Sequence, residues 1–243
     1  MKNSQNPQDL LTILSRDPWF GALPLRDRKA MLAASEVIRL RPGEMLFRQG
    51  DVPGGFYALI SGRMKMSTLN VEGKEAILSI LDTGTWFGEI SLLDHQPRTH
   101  DATAFDQAEL LVMPETTFHQ LMQRQSFSTA IARLLARRIR LLYGIVEDAN
   151  LRSIRARVAR RLLFLTQETL VPRSASHTAY QTQEVMHTRV NISQDALAMM
   201  LGVTRQTLSK ELKLLSQQGA IRLAYRAIDI LSAEKLNAFS DKD

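Results

Sequence analysis

The segment FGEISLLDHQPRTHDATA, residues 87–104, carries the residue types of an anion-binding site, and we call it the effector cassette. Gly88 lets the backbone approach a ligand closely, and the short segment Glu89–Leu93 can present the free N–H groups of a helix N-terminus. Arg98 adds a guanidinium, a frequent bidentate partner of phosphate, and a neighbouring threonine adds a hydroxyl. Glu89 can accept a hydrogen bond from a ribose hydroxyl. The predicted effector site comprises Gly88, Glu89, Ile90, Ser91, Arg98 and Thr99.

A second segment, residues 193–215, has the pattern of a helix-turn-helix. Ser193 can cap a first helix, Gly202 supplies the turn, and Thr204 can cap a second helix. Leucines at spacings of four and three form the buried stripe of that second helix. The polar side chains opposite the stripe suit the major groove of DNA, where arginine pairs with guanine and glutamine with adenine. The predicted DNA-contacting residues are Thr204, Arg205, Gln206, Ser209, Lys210 and Lys213.

Two short apolar runs after this segment, Ala220–Leu223 and Ala227–Leu231, predict a small β-wing. The wing places Arg222 and Arg226 where they can reach the DNA backbone. The alternative for residues 193–215 is a helical hairpin with a solvated polar face. The turn glycine, the two caps and the basic surroundings agree with one another and favour DNA binding.

The charge of the chain is divided unevenly between its halves. Residues 1–118 contain 12 Lys/Arg and 15 Asp/Glu, a net charge of −3, whereas residues 119–243 contain 19 and 10, a net charge of +9. An acidic front half joined to a basic back half fits a sensor fused to a polyanion binder. Charge by itself leaves open that the basic helices are only solvated faces.

The cassette belongs to a region whose pattern predicts a compact antiparallel β-roll. Short apolar runs recur at intervals of roughly 8–12 residues with glycine-containing turns between them. The predicted strands are Glu36–Leu40, Gly55–Ile60, Met64–Thr68, Ala76–Leu81 and Leu110–Met113. A helical opening, Pro7 to Ala34, precedes them.

A long helix follows the roll and carries two apolar stripes. The first stripe has the spacing of a seam for another helix; its residues are Leu135, Ile139, Leu142 and Val146. The second, on the neighbouring face, contains Ile131, Leu134, Leu141 and Ile145. A core helix packed only against its own domain is the alternative. Because two stripes present more surface than one roll can cover, we assign one to the roll and the first to a partner chain.

Several functional classes are excluded by what the sequence lacks. The chain has no cysteine, which excludes disulfides and cysteine-ligated metals. It has no P-loop, G-x-S-x-G or HExxH motif, so we predict no enzyme, no catalytic residues and no metal site. The polar segment Met1–Asp17 has no apolar core of signal-peptide length, and no apolar run is long enough to cross a membrane. We therefore expect a cytoplasmic protein.

The predicted fold class is α+β, with three parts. Residues 1–124 form the β-roll sensor domain with flanking helices, residues 125–151 the dimerisation helix, and residues 152–243 the winged helix-turn-helix domain. Within the last part, Arg152 to Gln167 predicts a helix and Val171 to Thr188 a loop.

This order of roll, long helix and helix-turn-helix, with the cassette, resembles the cyclic AMP receptor protein/fumarate–nitrate regulator (Crp/Fnr) family. The resemblance covers the chain from about Phe20 to Leu231. It implies a homodimer joined along the long helix, in which a small-molecule effector in the roll repositions the DNA-binding heads on a two-fold-related site. It also implies RNA polymerase as a partner. The family's cyclic-nucleotide binders hold the ribose and cyclic phosphate through residues that match Gly88, Glu89, Arg98 and Thr99.

Two departures from the family pattern concern the effector. His100-Asp101 stands where nucleotide binders usually carry small and β-branched residues, and Leu142 and Tyr143 replace the hydroxyl residues that face adenine in the cyclic AMP receptor. The phosphate half of the site is thus implied without the adenine half. A cyclic nucleotide is a possible effector, and cyclic AMP is doubtful.

Three alternatives stay open. The roll could be scaffold in a ligand-independent regulator, with Arg98 in a structural ion pair. The protein could be a cyclic-nucleotide module that does not bind DNA, although such a module would not need residues 193–215. His100 and His119 could ligate haem, although a lone histidine is more often an ordinary surface or core residue.

Overall fold

The effector cassette lies in the first of two compact units, Met1–Leu141 and Leu142–Asp243. A computed structural model of the protein describes residues 6–169 and 188–240. The strands of the first unit are β1 (Glu36–Leu40), β2 (Met45–Phe47), β3 (Phe56–Ser61), β4 (Met64–Leu69), β5 (Glu75–Leu81), β6 (Trp86–Phe87), β7 (Asp101–Ala104) and β8 (Ala108–Met113). Its helices are α1 (Pro7–Leu14), α2 (Pro18–Gly21), α3 (Leu25–Ala34), α4 (Glu89–Asp94) and α5 (Glu115–Met122), and the long helix α6 (Gln125–Leu151) crosses the division between the units.

The strands of the first unit form two antiparallel four-stranded sheets, which confirms the predicted β-roll. The strand orders are β1-β8-β3-β6 and β2-β7-β4-β5. All five strands predicted from the sequence are present, with ends shifted by no more than two residues. Strands β2, β6 and β7 were not predicted, because strands of three, two and four residues are too short to show an alternating pattern.

Strand β3 is buried on both faces and links the two apolar cores of this unit. Phe56, Ala58 and Ile60 pack with the helices on one side. Tyr57 and Leu59 alternate with them and pack inside the roll. A strand covered on both faces reads as a continuous apolar run. On the roll side, the Tyr57 ring stacks on that of Phe87, the first residue of the cassette, with centres 5.4 Å apart.

The long helix α6 is covered on one face only. Ile131 and Leu134 belong to the core of the first unit, which confirms that the second stripe packs on the roll. Leu141 of the same stripe is 42% exposed, so this packing stops before it; the core takes residues of α6 only as far as Leu135. In the described ranges, neither α6 nor any other helix combines the length and apolar character needed to cross a membrane.

The second unit contains the helix-turn-helix. Its remaining helices are α7 (Ile154–Thr169), α8 (Gln194–Leu201), α9 (Arg205–Gln217) and α10 (Ala233–Ser240). Strands β9 (Thr188–Val190), β10 (Ile221–Ala224) and β11 (Ala227–Ile230) form a sheet in the order β10-β11-β9. The two wing strands were predicted, whereas β9 was not. Residues 170–187, most of the loop predicted from Val171 to Thr188, lie outside the described residues.

Candidate effector site and DNA interface

Backbone carbonyls hold Arg98 at both of its η nitrogens. Nη1 donates to the carbonyl oxygen of Gly88 at 2.8 Å, and Nη2 donates to that of Gly55 at 3.0 Å. Gly88 has a φ of +98°, and a Cβ there would lie 3.1 Å from Arg98 Nη1 and 3.0 Å from Cδ2 of Tyr57. The glycine is therefore needed for its left-handed backbone and for the space that its missing Cβ leaves beside the guanidinium.

The guanidinium of Arg98 is buried without an acidic partner among the described residues. The residue is 3% exposed, its guanidinium carbon lies 4.5 Å from the Phe47 ring centre, and its Nε is buried with no hydrogen-bond partner in this part of the chain. Arg63 also lies over an aromatic ring, but its Nε binds Asp106 at 2.8 Å. Arg98 thus carries a buried charge that only neutral groups satisfy, an arrangement that is costly without an anion.

The titratable groups beside Arg98 do not supply the missing negative charge. Burial raises the pKa of Tyr57 above its ordinary value of 10.0, and the positive charge of Arg98 opposes this only in part. Burial also lowers the pKa of His100 from 6.5, with Glu89 acting in the opposite direction. Near neutral pH the phenol and the imidazole are therefore both uncharged.

Glu89 is fully buried and pairs with a residue that sequence reasoning missed. Arg138 on α6 donates from Nη1 to Oε1 of Glu89, and from Nη2 to the Trp86 carbonyl oxygen at 2.6 Å. The other carboxylate oxygen, Oε2, is buried and has no partner within the described ranges. The predicted role of Glu89 as acceptor for a ribose hydroxyl stays a prediction, and Oε2 is the atom available for it.

The remaining predicted effector residues differ in exposure. Ile90 is 39% exposed, whereas Ser91 is 3% exposed and donates from Oγ to the Pro97 carbonyl oxygen at 3.3 Å. Ser91 therefore closes the cassette loop. The exposed Thr99 has its hydroxyl oxygen 2.7 Å from Nδ1 of His100. Their roles toward an effector stay predictions.

In the second unit, the two caps, the turn glycine and the buried leucines predicted for the helix-turn-helix are all present. Ser193 Oγ accepts from the backbone N–H of Ala196, and Thr204 Oγ1 accepts from that of Thr207, both at 3.1 Å. Gly202 has a φ of +66°. Leu208, Leu212 and Leu215 are fully buried. The side chains predicted to contact DNA are exposed or half-exposed; they are Thr204, Arg205, Gln206, Ser209, Lys210 and Lys213.

Part of the positive charge of the second unit stabilises the fold and is not free for DNA. Arg155 on α7 binds Glu211 on α9 at 2.8 Å, and Arg157 donates to the carbonyl oxygen of Leu201 at 2.6 Å, at the end of α8. From the sequence, these two arginines contribute only to the net charge. The net charge of this unit therefore overstates the positive charge available to a DNA backbone.

Both wing arginines are exposed, and Arg222 is also paired. Arg222 pairs across the strands with Asp229, with Nη2 and Oδ2 3.0 Å apart. Arg226 lies in the turn between β10 and β11 with a φ of +52° and is exposed. Both arginines predicted to reach DNA are therefore on the surface of the wing.

Comparison with known proteins finds matches to both units. The family model of the cyclic nucleotide-binding domain matches residues 37–125, and that of the Crp-like helix-turn-helix domain matches residues 156–239. The cyclic AMP receptor protein of Thermus thermophilus is 30% identical over 200 residues, which cover 82% of this chain and 85% of that protein. The CRP-like cAMP-activated global transcriptional regulator of Mycobacterium tuberculosis is 29% identical over 197 residues, covering 80% and 83%. The solved structure of CLP, the c-di-GMP-responsive global regulator of Xanthomonas campestris, matches with a TM-score of 0.69 at 22% identity, covering 86% of this chain and all of that one.

A cyclic nucleotide-binding domain joined to a Crp-like helix-turn-helix domain defines a DNA-binding transcription regulator. The chain belongs to the Crp/Fnr family. The relatives that match this chain over about four-fifths of its length are transcription regulators, so the predictions of family, fold class and non-enzymatic function are confirmed. The interpretation as a module that does not bind DNA is wrong, because the helix-turn-helix domain is matched as such.

Proposed function

We propose that the protein is a homodimer whose sequence-specific DNA binding is controlled by a phosphate-bearing effector in the roll. The observation that carries the proposal is the buried charge of Arg98, held by the carbonyls of Gly55 and Gly88 without an acidic partner among the described residues. A guanidinium in such a site gains most from a phosphate, because that hydrogen bond is charge-assisted and frequently bidentate. A scaffold role with Arg98 in a structural ion pair requires a carboxylate partner, and residues 6–169 and 188–240 provide none.

The homodimer is supported by the exposed stripe of α6. Ile139, Leu142 and Val146 are each more than half exposed in the single chain, at 51%, 58% and 56%. Leu135, at the other end of the predicted seam, is partly buried against the core of its own unit. Apolar residues at this spacing are stable in water when a second helix covers them. The same helix of a second copy satisfies this requirement.

The recognition helix α9 then places its exposed side chains in the major groove of each half of a two-fold-related DNA site. Binding there controls transcription, with RNA polymerase as the partner through which a bound dimer acts. At the start of α9 the backbone N–H of Thr207 is bound by the hydroxyl of Thr204, whereas the side chains of Arg205 and Gln206 are exposed, so we assign base readout to these two side chains.

The compounds named for the relatives share a chemical group, and this group limits the class of effector that we propose. Two of them are named for cyclic AMP and one solved structure is named for cyclic di-GMP. These compounds share a cyclic phosphodiester and differ in the base. The phosphodiester suits Arg98, whereas the positions that face adenine in the cyclic AMP receptor hold Leu142 and Tyr143. We infer that the effector is a cyclic nucleotide or another phosphorylated compound. We also infer that it is not recognised through hydrogen bonds from hydroxyl side chains to an adenine base.

Calorimetry with cyclic AMP is expected to show weak or no binding to the wild-type protein. Tyr143 is 72% exposed, so its replacement removes no internal packing. Tyr143→Ser replaces the phenol at the end of a long side chain by a short aliphatic hydroxyl, the kind that the resemblance expects to face adenine, and one hydrogen bond of about 1 kcal/mol would raise cyclic AMP affinity about fivefold. Tyr143→Ala, which shortens the side chain similarly but leaves no hydroxyl, is the matched control. Tight cyclic AMP binding by the wild type would contradict this reading of the base site.

Substitutions on α9 are expected to separate base readout from phosphate contact. Arg205→Ala and Gln206→Ala should each weaken binding to the cognate site by about 1–3 kcal/mol and relax base preference at one position. In the free protein Arg205 lies 3.4 Å from Asp195, and both side chains are largely exposed. Because an exposed ion pair contributes little free energy, breaking this pair on DNA binding costs little. Lys213→Ala should weaken all sequences alike and reduce the salt dependence of binding. Selection from random DNA by the Arg205 variant checks the register: an unchanged base preference would show that another residue reads that position.

A further inference from the structure

Three metal-ligating side chains meet in the first unit, outside the predicted effector set. His95 is the C-cap residue of α4, and Glu115 and His119 lie one turn apart on α5. Each offers one ligand atom, and these atoms all lie within 4.8 Å of one another. The imidazole rings of His95 and His119 stack with centres 5.2 Å apart, and Nε2 of His119 lies 3.3 Å from Oε1 of Glu115.

We propose that His95, Glu115 and His119 bind one divalent transition-metal ion of the zinc class. Imidazole nitrogen and carboxylate oxygen bind such ions at about 2.0–2.2 Å, which at tetrahedral angles separates the ligand atoms by about 3.3–3.6 Å. His119 and Glu115 already have the separation that this geometry requires. A small side-chain rotation of the exposed His95 completes the set. Three protein ligands leave one coordination position for water.

The ordinary explanation of this cluster, an ion pair along α5, accounts for only two of the three residues. It gives no reason for His95, which adopts a left-handed backbone with a φ of +56°. Helices commonly end in this conformation with glycine or asparagine, because a larger side chain is strained there. Among the described non-glycine residues only Arg226 shares a positive φ. Histidine tolerates this conformation better than most residues, and here its ring stacks on that of His119, where it can serve as a ligand.

The bound ion would link the effector cassette to α5, because each of them provides at least one of its ligands. His95 lies within the cassette, between Glu89 and Arg98, so its coordination would restrain the segment that carries the guanidinium. Occupancy of the metal site would therefore change effector affinity, and by linkage the effector would change metal affinity by the same factor. This coupling rests on the proposed effector site, whereas the metal site stands without it.

Metal binding is measured on the untagged full-length protein after treatment with a chelator. Titration with cobalt(II), followed by its visible absorption, and calorimetry with zinc(II) are expected to show one site per chain. His95→Gln, Glu115→Gln and His119→Gln should each weaken this site at least about tenfold, since even residues that only support a metal ligand commonly contribute that much. His100→Gln is the matched control, because it removes a histidine of the same unit that lies outside the cluster. Its metal affinity should equal that of the wild type.

His95→Gly separates a ligand from a residue that only shapes the backbone. Glycine relieves the left-handed strain, so the metal-free variant should melt at a higher temperature than the metal-free wild type while losing the metal-induced stabilisation. Absence of stoichiometric binding to the wild type would overturn the proposal. Binding that survives all three glutamine variants would also overturn it, by assigning the ion to residues outside the cluster. Either result would leave the proposed control of DNA binding by Arg98 intact, since that is measured separately.

Discussion

Ile139→Glu is expected to convert the dimer into monomers and to abolish specific binding to the two-fold DNA site. Ile139 is 51% exposed in the single chain, so the new carboxylate does not disturb the core of its own unit. In the proposed seam the same carboxylate is buried without a partner, at a cost of about 3–5 kcal/mol. A cost of that size weakens dimerisation roughly hundredfold to several thousandfold. Analytical ultracentrifugation measures the change directly.

Two further variants make this test specific. Leu142→Glu, at the next seam position, should behave like Ile139→Glu. Arg140→Glu places a carboxylate at an exposed position of α6 on the side away from the seam, and should leave the dimer intact. If the Ile139 and Leu142 variants sediment as stable dimers, the protein associates through another surface and the assignment of the seam is wrong.

Arg98→Leu is expected to remove effector-dependent DNA binding while leaving the fold and the dimer intact. A leucine cannot replace a charge-assisted, bidentate contact with phosphate. The ligand-free variant should melt near the wild-type temperature, because the loss of an uncompensated buried charge offsets the two hydrogen bonds to Gly55 and Gly88. A saturating effector at 100 times its Kd should stabilise the wild type by about 2.7 kcal/mol and the variant hardly at all.

Arg63→Leu provides the matched control for this experiment. Arg63 also lies over an aromatic ring of the roll, but it pairs with Asp106. Its loss should leave the effector-induced stabilisation and the effector-dependent DNA binding unchanged. If the Arg98 variant responds to effector as the wild type does, the cassette is scaffold, as one alternative from the sequence holds.

The features that sequence predicted well depend on neighbouring residues. The helix-turn-helix was located through Ser193, Gly202 and Thr204, and each has the cap or backbone conformation expected of it. Such signals act within one helical turn, so they can be read without knowing the rest of the fold. The two apolar stripes of α6 were predicted from the spacing of their residues alone. This prediction distinguished Ile131, which is buried, from Ile139, which is exposed.

The features that sequence missed depend on pairs that only the fold brings together. Arg138 reaches Glu89 across 49 residues of sequence, and Arg98 meets the carbonyl of Gly55 across 43. No local pattern indicates either contact. The cluster of His95 with the residues of α5 was missed for the same reason, because its spacing matches no metal-binding motif. The residue types of the cassette thus predict its chemistry. The tertiary contacts determine which of its polar atoms already have a hydrogen-bond partner.

Selection of binding sites from random double-stranded DNA by the wild-type protein tests the central claim most directly. A homodimer that reads DNA through α9 should select a two-fold-related sequence whose half-site centres lie about 10–10.5 bp apart, one helical turn of DNA. This single measurement tests both the dimer seam on α6 and the DNA-contacting residues of α9. An asymmetric single half-site, or no preference over random DNA, would contradict the account.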